Sequence, residues 1–423
     1  MENSLNQKIL ILGYHDFPFE GHGYSLYKHL QEEGHEVYYV SYISEYTDNP
    51  YFFLNTHKDK LIYRINRRVI SLILFLRRLF FKRLPDKNEY CFFNTSNYYI
   101  GNAKKILNKV GIIPDVIIFA WCDFFISPKV IYDLYILTKA KIIISMVDPH
   151  FLGGGCHFPC DCKQYKTGCK NCPVLVKPDI AKKLYEDKVK YLSDIPMIVA
   201  GSPYDIMRAK TTSFLKKADF VKIVTTPEIP YVINKQEART FFNIPKDDFV
   251  LFWGAQYTYD KRKGFSFLME ALDIFVNYIY CKRRVSVLIL ANDRIDESNY
   301  NLGGKVTILQ PGFLDQKGLF AAFYASDLFV STSIDDSGPM TVNYSLSCGR
   351  PVISFPVGIA VDLVKNGETG YLAKFMDADD LAKGFNLFYS MKECDYNCYS
   401  NNCFSMIRDI KKSSKPWYLT MLG

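Results

Sequence analysis

The fold class is indicated by residues 328–355, LFVSTSIDDSGPMTVNYSLSCGRPVISF. Two short apolar runs, Leu328–Val330 and Pro351–Phe355, flank a polar loop and a stretch of helical length that begins near Met340. A strand, a helix and a second strand in this order are typical of the βαβ unit of a parallel sheet. In such sheets ligands bind beyond the carboxyl ends of the strands, which is where the polar loop lies.

The same alternation of apolar runs and helix-length segments extends in both directions along the chain. Strands are predicted at Lys8–Leu12, Glu36–Val40, Val116–Phe119, Lys141–Met146, Met197–Ala200, Phe249–Trp253, Val285–Leu290 and Val306–Leu309, besides the two above. This pattern predicts an α/β protein with two Rossmann-like, doubly wound parallel-sheet domains that face each other across a cleft. We place the N-terminal domain at 1–240, the C-terminal domain at 241–395, and a helical tail at 396–423 that packs back on the N-terminal domain.

The composition is that of a globular protein. Of the 423 residues, 48% are hydrophobic and 23% are charged, which excludes a disordered or collagen-like chain. The sequence contains no run of about 20 apolar residues, so no membrane-spanning helix is predicted. The first seven residues, MENSLNQ, lack the basic and then apolar order of a signal peptide. We therefore expect a cytoplasmic protein, with peripheral binding to the inner face of the plasma membrane as an option.

The net charge of +8 is concentrated in one segment, residues 58–84. On a helical wheel its basic side chains, Arg64, Arg67, Arg68, Arg78 and Lys82, face away from Ile65, Val69, Leu72, Leu76 and Phe80. Such a face suits an anionic membrane surface, but a core helix with a solvated basic side shows the same pattern. Nucleic acid is not expected as a partner, because no base-reading module accompanies the charge.

Two further features predict a diphosphate site in the C-terminal domain. Lys261-Arg-Lys-Gly264 follows a strand and precedes a helix, which places cations at the ligand-binding edge of the sheet. The helix that begins near Met340 offers free backbone N–H groups and a positive dipole end.

These residues, in this order, resemble glycosyltransferase family 4, a family of retaining enzymes with the GT-B fold. The resemblance is carried by Arg262-Lys263-Gly264-Phe265, Ala325–Val330, Asp336 to Pro339, Ser347–Val352 and Gly367–Tyr371. A second segment, from Asp148 through Gly154-Gly-Cys156-His157 to Cys172-Pro173, is similar to one branch of the family, in which most members act in bacterial surface-polysaccharide (capsule) synthesis.

The resemblance implies a donor site and an acceptor side. By position, Lys263 and Arg262 bind the donor diphosphate, Asp336 contacts the donor sugar, and Gly338, Pro339, Met340 and Thr341 hold the sugar and diphosphate; Gly21, His22, Gly23 and Asp148 line the acceptor side. The implied activity is transfer of a sugar, hexosyl or related, from a nucleoside-diphosphate sugar to a glycan acceptor, which we expect to be linked to a lipid. No side-chain nucleophile is assigned, and catalysis requires no metal or other cofactor.

The sequence departs from the family at two positions. The second acid of the acid-x7-acid motif, which bonds the ribose hydroxyls, is replaced by Tyr344, and a phenol cannot act as a bidentate anionic acceptor. The usual histidine before Asp148 is Val147. The alternative is therefore a catalytically impaired relative that binds glycans or partner proteins.

The cysteine-rich segment predicts a cluster of thiols. Cys156, Cys162, Cys169 and Cys172 fit the branch pattern and have the ligand number of a structural zinc site, while Cys160 is additional. Reduced free thiols and redox-active disulfides remain alternatives, and a catalytic metal is not expected.

Three other groups of residues have plainer explanations. Cys394, Cys398 and Cys403 are interpreted as buried or incidental thiols, and Asp377-Ala-Asp379 as a helix cap. His22, His150 and His157 are either cleft residues or ordinary polar packing.

Overall fold

The computed structural model describes residues 6–15, 22–43, 52–53, 61, 65, 68, 101–122, 125–175, 177–224, 227, 229–278, 283–296, 300, 302, 304–312 and 314–413. These residues form two compact units. Of the described residues, the first unit contains those up to 201 together with 205–222, and the second contains 202–204 and those from 223 to 413.

The first unit is built on a seven-stranded parallel sheet with the order β3-β2-β1-β4-β5-β6-β7. Its strands are β1 Lys8–His15, β2 Glu36–Ile43, β3 Phe52–Phe53, β4 Val116–Ala120, β5 Lys141–Ser145, β6 Met197–Gly201 and β7 Ala218–Lys222. The order reverses between β1 and β4, whose carboxyl ends form a topological switch point.

Helices connect these strands and bury their apolar sides on the sheet. They are His22–Glu32, Ala103–Val110, Pro128–Thr138, Asp179–Leu192 and Pro203–Ala209, with 3-10 turns at Pro149–Leu152, Gln164–Lys166 and Ser213–Leu215. Strand β4 is buried along its whole length, as expected for a central parallel strand covered on both faces.

The second unit is built on a six-stranded parallel sheet with the order β10-β9-β8-β11-β12-β13. Its strands are β8 Phe249–Gly254, β9 Val285–Leu290, β10 Val306–Leu309, β11 Leu328–Ser331, β12 Val352–Ser354 and β13 Gly370–Leu372. Its helices are Lys235–Phe241, Phe265–Tyr278, Gln316–Ala325, Met340–Ser347, Ala360–Leu363, Ala378–Tyr389 and Glu393–Ser413, with a 3-10 turn at Lys261–Lys263.

The predicted fold class is confirmed, and each of the ten predicted strands is present. The strands missed by sequence are β3, β7 and β13, of which β3 and β13 are only two and three residues long. Strand β7 lies at the edge of its sheet and has no fully buried residue, so it lacks the apolar run that identifies the central strands.

The observed domain limits differ from the predicted ones. The second unit begins at residue 223, not 241. The tail helix Glu393–Ser413 belongs to this second unit, and its Cys403 and Ile407 are buried in the core beside Val342 and Leu346. The apolar side of this helix is thus covered by its own unit. Residues 414–423 of the predicted tail 396–423 lie outside the described residues, and the packing of the tail on the N-terminal domain stays a prediction.

Most of the basic segment 58–84 lies outside the described residues. Of its residues the structure describes Leu61, Ile65 and Arg68, which are helical and exposed. The membrane-surface prediction for this segment is thus carried forward as a prediction. Among the described helices, none combines the length and the apolar character needed to cross a bilayer.

Candidate active site

The cationic turn after β8 is held in a fixed shape. Asp260 caps the 3-10 turn Lys261–Lys263 by accepting a 3.1 Å hydrogen bond from the Arg262 backbone N–H. Gly264 ends the turn with φ at +65°, and a Cβ on this residue would lie 1.9 Å from the carbonyl oxygen of Thr332. Both the left-handed backbone and the close approach therefore require glycine.

The loop that follows β11, residues 332–339, is bonded directly to this turn. The Thr332 hydroxyl donates to the Lys263 carbonyl at 2.9 Å, and the Ile334 N–H donates to the Arg262 carbonyl at 2.8 Å. The Trp253 indole N–H donates to the Thr332 hydroxyl oxygen at 2.9 Å. Turn and loop are thus one hydrogen-bonded body at the carboxyl ends of β8 and β11.

This arrangement brings three predicted site residues together. Lys263 Nζ lies 2.5 Å from Asp336 Oδ2, and Arg262 Nη1 lies 3.4 Å from the same oxygen. Arg262 also donates to the carbonyl oxygen of Asp335 and to the carboxylate of Asp260. Asp336 is buried, so two cations and one carboxylate share a partly desolvated site in which electrostatic interactions are stronger than in water.

The helix Met340–Ser347 begins next to this charge cluster. Its N-cap position is Pro339, which has no side-chain hydrogen bond to the first turn of the helix. A Cβ on Gly338 would meet only the Cβ atoms of Ile359 and Ser202, both at 3.9 Å, so the backbone of this loop is open to close approach. The first N–H groups and the positive dipole end of the helix are suited to an anion.

Tyr344 stands where the family pattern has an acid, and its side chain packs against aromatic rings. Its ring packs edge-on against Phe320, with a centroid distance of 5.2 Å and an interplanar angle of 85°, and contacts Phe323 at 6.2 Å. The half-buried side chain is thus part of the aromatic packing between two helices. Tyrosine here contributes apolar area that a carboxylate would not.

Two polar groups near the loop were missed by sequence reasoning. Among the described residues, Ser337 Oγ and Asn343 Oδ1 are buried and have no hydrogen-bond partner. Asn343 Nδ2 lies 3.7 Å from the Met340 sulfur. Ser337 belongs to the loop and Asn343 to the helix that carries the open N-terminus, so both groups lie in elements predicted to hold the donor. In the sequence, only their location beside the predicted donor site could have indicated a role, since serine and asparagine are common in any loop.

In the first unit, Asp148 organises a second cluster at the carboxyl ends of β4 and β5. Its Oδ1 accepts a 2.9 Å hydrogen bond from the His150 N–H and so caps the turn Pro149–Leu152. Its Oδ2 accepts a 2.8 Å hydrogen bond from the Trp121 indole and lies 3.0 Å from His157 Nδ1. Asp148 is only 7% exposed. It is the residue predicted to line the acceptor side, and Trp121 and His157 lie beside it.

Aromatic rings surround this carboxylate. The Trp121 and His157 rings stack with centroids 6.1 Å apart, and His150 meets His157 edge-on at 6.2 Å. Trp121 has φ at +48°, a left-handed conformation that costs energy for a bulky residue and marks functional sites. This backbone conformation was not predicted, because a tryptophan after a strand is usually part of the core.

A small cavity of about 50 Å³ opens beside this cluster. Its lining includes Trp121, Asp148, His150, the aliphatic residues Ile131 and Met146, and Val147 at the position of the missing histidine. The lining is mostly apolar, with Asp148, His150 and Lys188 among its few polar side chains. The Lys188 ammonium is held by the carbonyl oxygens of His150, Phe151 and Gly153 at 2.9, 3.0 and 2.7 Å.

The predicted glycine loop on the acceptor side is only partly described. Gly21 lies outside the described residues, and His22 begins the helix His22–Glu32. A Cβ on Gly23 would lie 2.9 Å from the Tyr39 ring and 3.3 Å from the Ala120 Cβ. Gly23 therefore lets this helix approach the sheet closely, and the acceptor role of the loop stays a prediction.

The five cysteines of residues 153–173 form a thiol cluster, and all five are free thiols. Burial and then the neighbouring Cys172 raise the pKa of Cys156 far above its ordinary value, and burial raises the pKa of Cys169 to about 11. These thiols are therefore neutral at physiological pH when nothing is bound to them. Within the part of the chain that the structure describes, no three metal-ligating side chains already surround a common point.

The remaining interpretations are resolved by the contacts. Asp377 caps the helix Ala378–Tyr389 by accepting a 2.9 Å hydrogen bond from the Asp380 N–H, which confirms the helix-cap interpretation. Cys394 and Cys398 are exposed, whereas Cys403 is buried in the core of the second unit.

The comparisons with known proteins agree with this geometry. Residues 234–402 match the model of the family described as Glycosyl transferases group 1. No curated protein sequence gives a significant match.

Three solved structures share the fold over nearly the whole length of both chains. A sucrose-phosphate synthase from Thermosynechococcus elongatus is 15% identical, covers 98% of this chain and 97% of its own, and has a TM-score of 0.59. HepE from Anabaena, solved with UDP-glucose, is 13% identical with 98% and 99% coverage and a TM-score of 0.58. A glycosyltransferase from Rickettsia africae is 14% identical with 96% and 94% coverage and a TM-score of 0.57. The chain thus has the GT-B fold, and its second half, which contains the cationic turn and the Asp336 loop, matches the glycosyl transferases of group 1.

Proposed function

We propose that this chain is a retaining glycosyltransferase of family 4 that moves a sugar from a nucleoside-diphosphate donor to a glycan acceptor. The observation that carries the proposal is the convergence of Lys263 and Arg262 on Asp336 beside an open helix N-terminus, within the segment that matches the group 1 family.

The donor diphosphate takes the place that the Asp336 carboxylate holds beside the two cations. Its negative charge is matched by Lys263, Arg262 and the first N–H groups of the helix Met340–Ser347, and Asp336 is released to accept hydrogen bonds from the donor sugar. Fixed cations and N–H groups stabilise the charge that develops on the leaving diphosphate, so this step needs no bound metal ion. HepE, which has the same fold, was solved with UDP and with UDP-glucose, which supports a uridine nucleotide as the first donor to test.

The chemical step proceeds with retention of configuration. The bond between the anomeric carbon and the diphosphate oxygen breaks while the acceptor oxygen bonds to the same face of that carbon. The acceptor proton passes to the leaving phosphate oxygen. No side chain forms a covalent intermediate, and the cations of the turn hold the leaving group in place.

The acceptor binds in the first unit, at the cluster of Trp121, Asp148 and His157. An aromatic ring beside a carboxylate and an imidazole suits the apolar face and the hydroxyl groups of a sugar. A glycan linked to a lipid carrier, as in bacterial surface-polysaccharide synthesis, would bring the enzyme to the inner face of the plasma membrane. The basic segment 58–84 would then contact the anionic lipid headgroups.

Tyr344 favours a second candidate function, a relative that binds glycans or partners without catalysis. Tyrosine replaces the acid that was expected to bond the ribose, and its ring packs against Phe320. A protein without that contact could retain the fold and lose the donor.

Thermal unfolding with a panel of UDP, GDP and their common sugar conjugates tests the proposal. The assay uses wild type, Lys263→Ala and the matched control Lys261→Ala, in buffer without added divalent cations. A bound ligand at about 100 times its dissociation constant adds roughly 2.7 kcal/mol to stability. A shift with one nucleotide that is lost in Lys263→Ala and kept in Lys261→Ala supports the donor site and identifies the base. No shift with any nucleotide refutes the transferase and favours the binding protein.

A further inference from the structure

A pocket in the second unit lies on the other side of β8 from the charge cluster. It has a volume of about 360 Å³, and its lining includes Tyr259, Phe265, Arg294, Asp296 and Tyr300. The charge cluster stands at the carboxyl ends of β8 and β11, whereas this pocket is formed by segments that follow β8 and β9. Sites for small molecules typically have about 300–1,000 Å³, so the pocket is large enough for a ligand that the proposed transfer chemistry does not account for.

The loops around the pocket are bonded to one another. The Thr258 N–H donates to the Asp293 carboxylate at 2.8 Å, and the Thr258 hydroxyl donates to the same carboxylate, which joins the segment after β8 to the segment after β9. The Ile295 N–H donates to Gln310 Oε1 at 2.8 Å, and the Gln310 amide donates to the Ile295 carbonyl at 3.4 Å. Because Gln310 directly follows β10, loops after three neighbouring strands hold the pocket in shape. A preformed site loses little conformational freedom when it binds a ligand.

The pocket presents a fixed aromatic face to solvent. The Tyr259 ring stacks on Tyr257 with a centroid distance of 4.9 Å and an interplanar angle of 21°, yet Tyr259 is 70% exposed. One face of the ring is therefore covered by Tyr257, and the other is open. Two further rings of the lining, Phe265 and Tyr300, meet edge-on at 6.2 Å. Rings held by one another in this way provide apolar contact area that needs no rearrangement on binding.

Polar groups complete the lining. Arg294 is exposed, and within the described part of the chain its guanidinium has no hydrogen bond and no ion pair. The Asp296 carboxylate and the Ser266 hydroxyl also line the pocket. The guanidinium donates hydrogen bonds, the carboxylate accepts them, and the hydroxyl does both. A saccharide matches this combination, because its hydroxyl groups donate and accept hydrogen bonds while the C–H face of its ring packs on aromatic rings.

We propose that this pocket binds a sugar unit of a glycan. The sugar ring packs on the open face of Tyr259, and its hydroxyl groups exchange hydrogen bonds with Arg294 and Asp296. The site is separate from the donor site and goes beyond the proposed function, because both candidate functions have a use for it. A transferase retains the glycan that it extends, and a relative without catalysis binds the glycan as its ligand.

Isothermal titration calorimetry of the full-length chain tests this inference. The titrants are maltotriose, triacetylchitotriose and trigalacturonate, which represent neutral, N-acetylated and acidic saccharides, and inorganic phosphate. We expect at least one saccharide to bind the wild type, and we expect Tyr259→Ala and Arg294→Ala to weaken that binding by about tenfold or more. Tyr259→Phe keeps the ring and should keep most of the affinity. The matched control Arg284→Ala removes another exposed arginine of the same unit and should leave the affinity unchanged.

Three results overturn the inference. They are the absence of binding by all three saccharides, saccharide binding that survives in both Tyr259→Ala and Arg294→Ala, and binding of inorganic phosphate alone. Tyr259 and Arg294 are exposed, so both alanine variants should fold, and their thermal unfolding midpoints check this. The titrations contain no nucleotide, so the result stands apart from the experiment on the donor site.

Discussion

Lys263 and Asp336 are joined by a 2.5 Å contact between Nζ and Oδ2, so the cation assigned to the diphosphate is neutralised by the carboxylate assigned to the donor sugar. On the proposed function, donor binding would exchange one anion for another at this position. The site does not have to hold unpaired like charges together before the donor arrives.

We expect Lys263→Ala to weaken binding of the preferred nucleoside diphosphate by about 10- to 100-fold, the equivalent of one hydrogen bond to a charged group. Isothermal titration calorimetry measures the change. Lys261→Ala removes an exposed cation from the same turn and should leave the dissociation constant almost unchanged. Equal weakening by both variants would show that only the summed charge of the turn matters.

Asp148→Asn should raise the KM for the acceptor by about tenfold, because the amide keeps an oxygen for the Trp121 indole but loses the charge that orients His157. Initial rates at varied acceptor concentration measure this, and calorimetry should give an unchanged donor affinity. The control Asp194→Asn removes a highly exposed carboxylate from the same unit. A matching loss of donor affinity would contradict an acceptor-side role for Asp148.

Tyr344→Phe should keep both stability and nucleotide affinity, whereas Tyr344→Ala should lower stability by about 2 kcal/mol, because the half-buried ring packs on Phe320 and Phe323. Urea unfolding and calorimetry on both variants separate the two roles. If the hydroxyl instead bonds the donor ribose, Tyr344→Phe will lose nucleotide affinity at unchanged stability.

Asp327 joins three elements of the second unit. It accepts hydrogen bonds from the Val250 N–H at 2.7 Å and from Arg239 at 3.0 Å, and it pairs with Lys235 at 2.5 Å. Asp327→Ala should destabilise this unit by about 3–5 kcal/mol, since it removes the carboxylate that pairs with the buried Arg239 guanidinium. The midpoint of urea unfolding measures the loss, and Asp409→Ala, an exposed carboxylate on the tail helix, should leave the midpoint in place.

Asp380 should contribute to acid sensitivity. Burial raises the pKa of its carboxyl, but the hydrogen bond from the Lys374 N–H and the Lys383 ammonium outweigh burial and leave the pKa below its ordinary value of 3.8. The ionised carboxylate therefore stabilises the fold fully above that value, and this contribution is lost as the pH falls toward the lower folded-state pKa. The difference in unfolding midpoint between wild type and Asp380→Asn should shrink below about pH 4. A constant difference from pH 6 to pH 3 would refute the assignment.

The fold was largely predictable because it depends on local apolar runs. Buried parallel strands such as β4 and β9 are continuous apolar segments, and turns such as Lys261–Gly264 mark where they end. The edge strand β7 was not predicted, because a strand with no fully buried residue has no such apolar run. The burial of the helix Glu393–Ser413 in the second unit was not predicted, because an amphipathic pattern shows that one side is covered and not which partner covers it.

The site residues were predictable where a motif lies in a recognisable order of strands, turns and helices. Arg262, Lys263 and Asp336 were found from their order along the chain, and the structure places them in contact. Trp121 and His157 were not linked to Asp148, because their meeting depends on tertiary contacts between β4, β5 and a loop. The aromatic packing of Tyr344 likewise depends on a neighbouring helix, because the spacing of Phe320, Phe323 and Tyr344 along the chain does not show that their rings meet.

The triple contact of Lys188 has a consequence for the biosynthesis of the chain. The cation that anchors residues 150–153 follows Cys156 by 32 positions, so on a ribosome the thiol loop emerges before its anchor exists. At about 5–20 residues per second, translation leaves Cys156 without this anchor for roughly two to six seconds, and Cys172 for about half as long. A newly made chain is therefore most vulnerable to oxidation in that interval, and a cell with a strong thiol-reducing capacity is the host in which to express it.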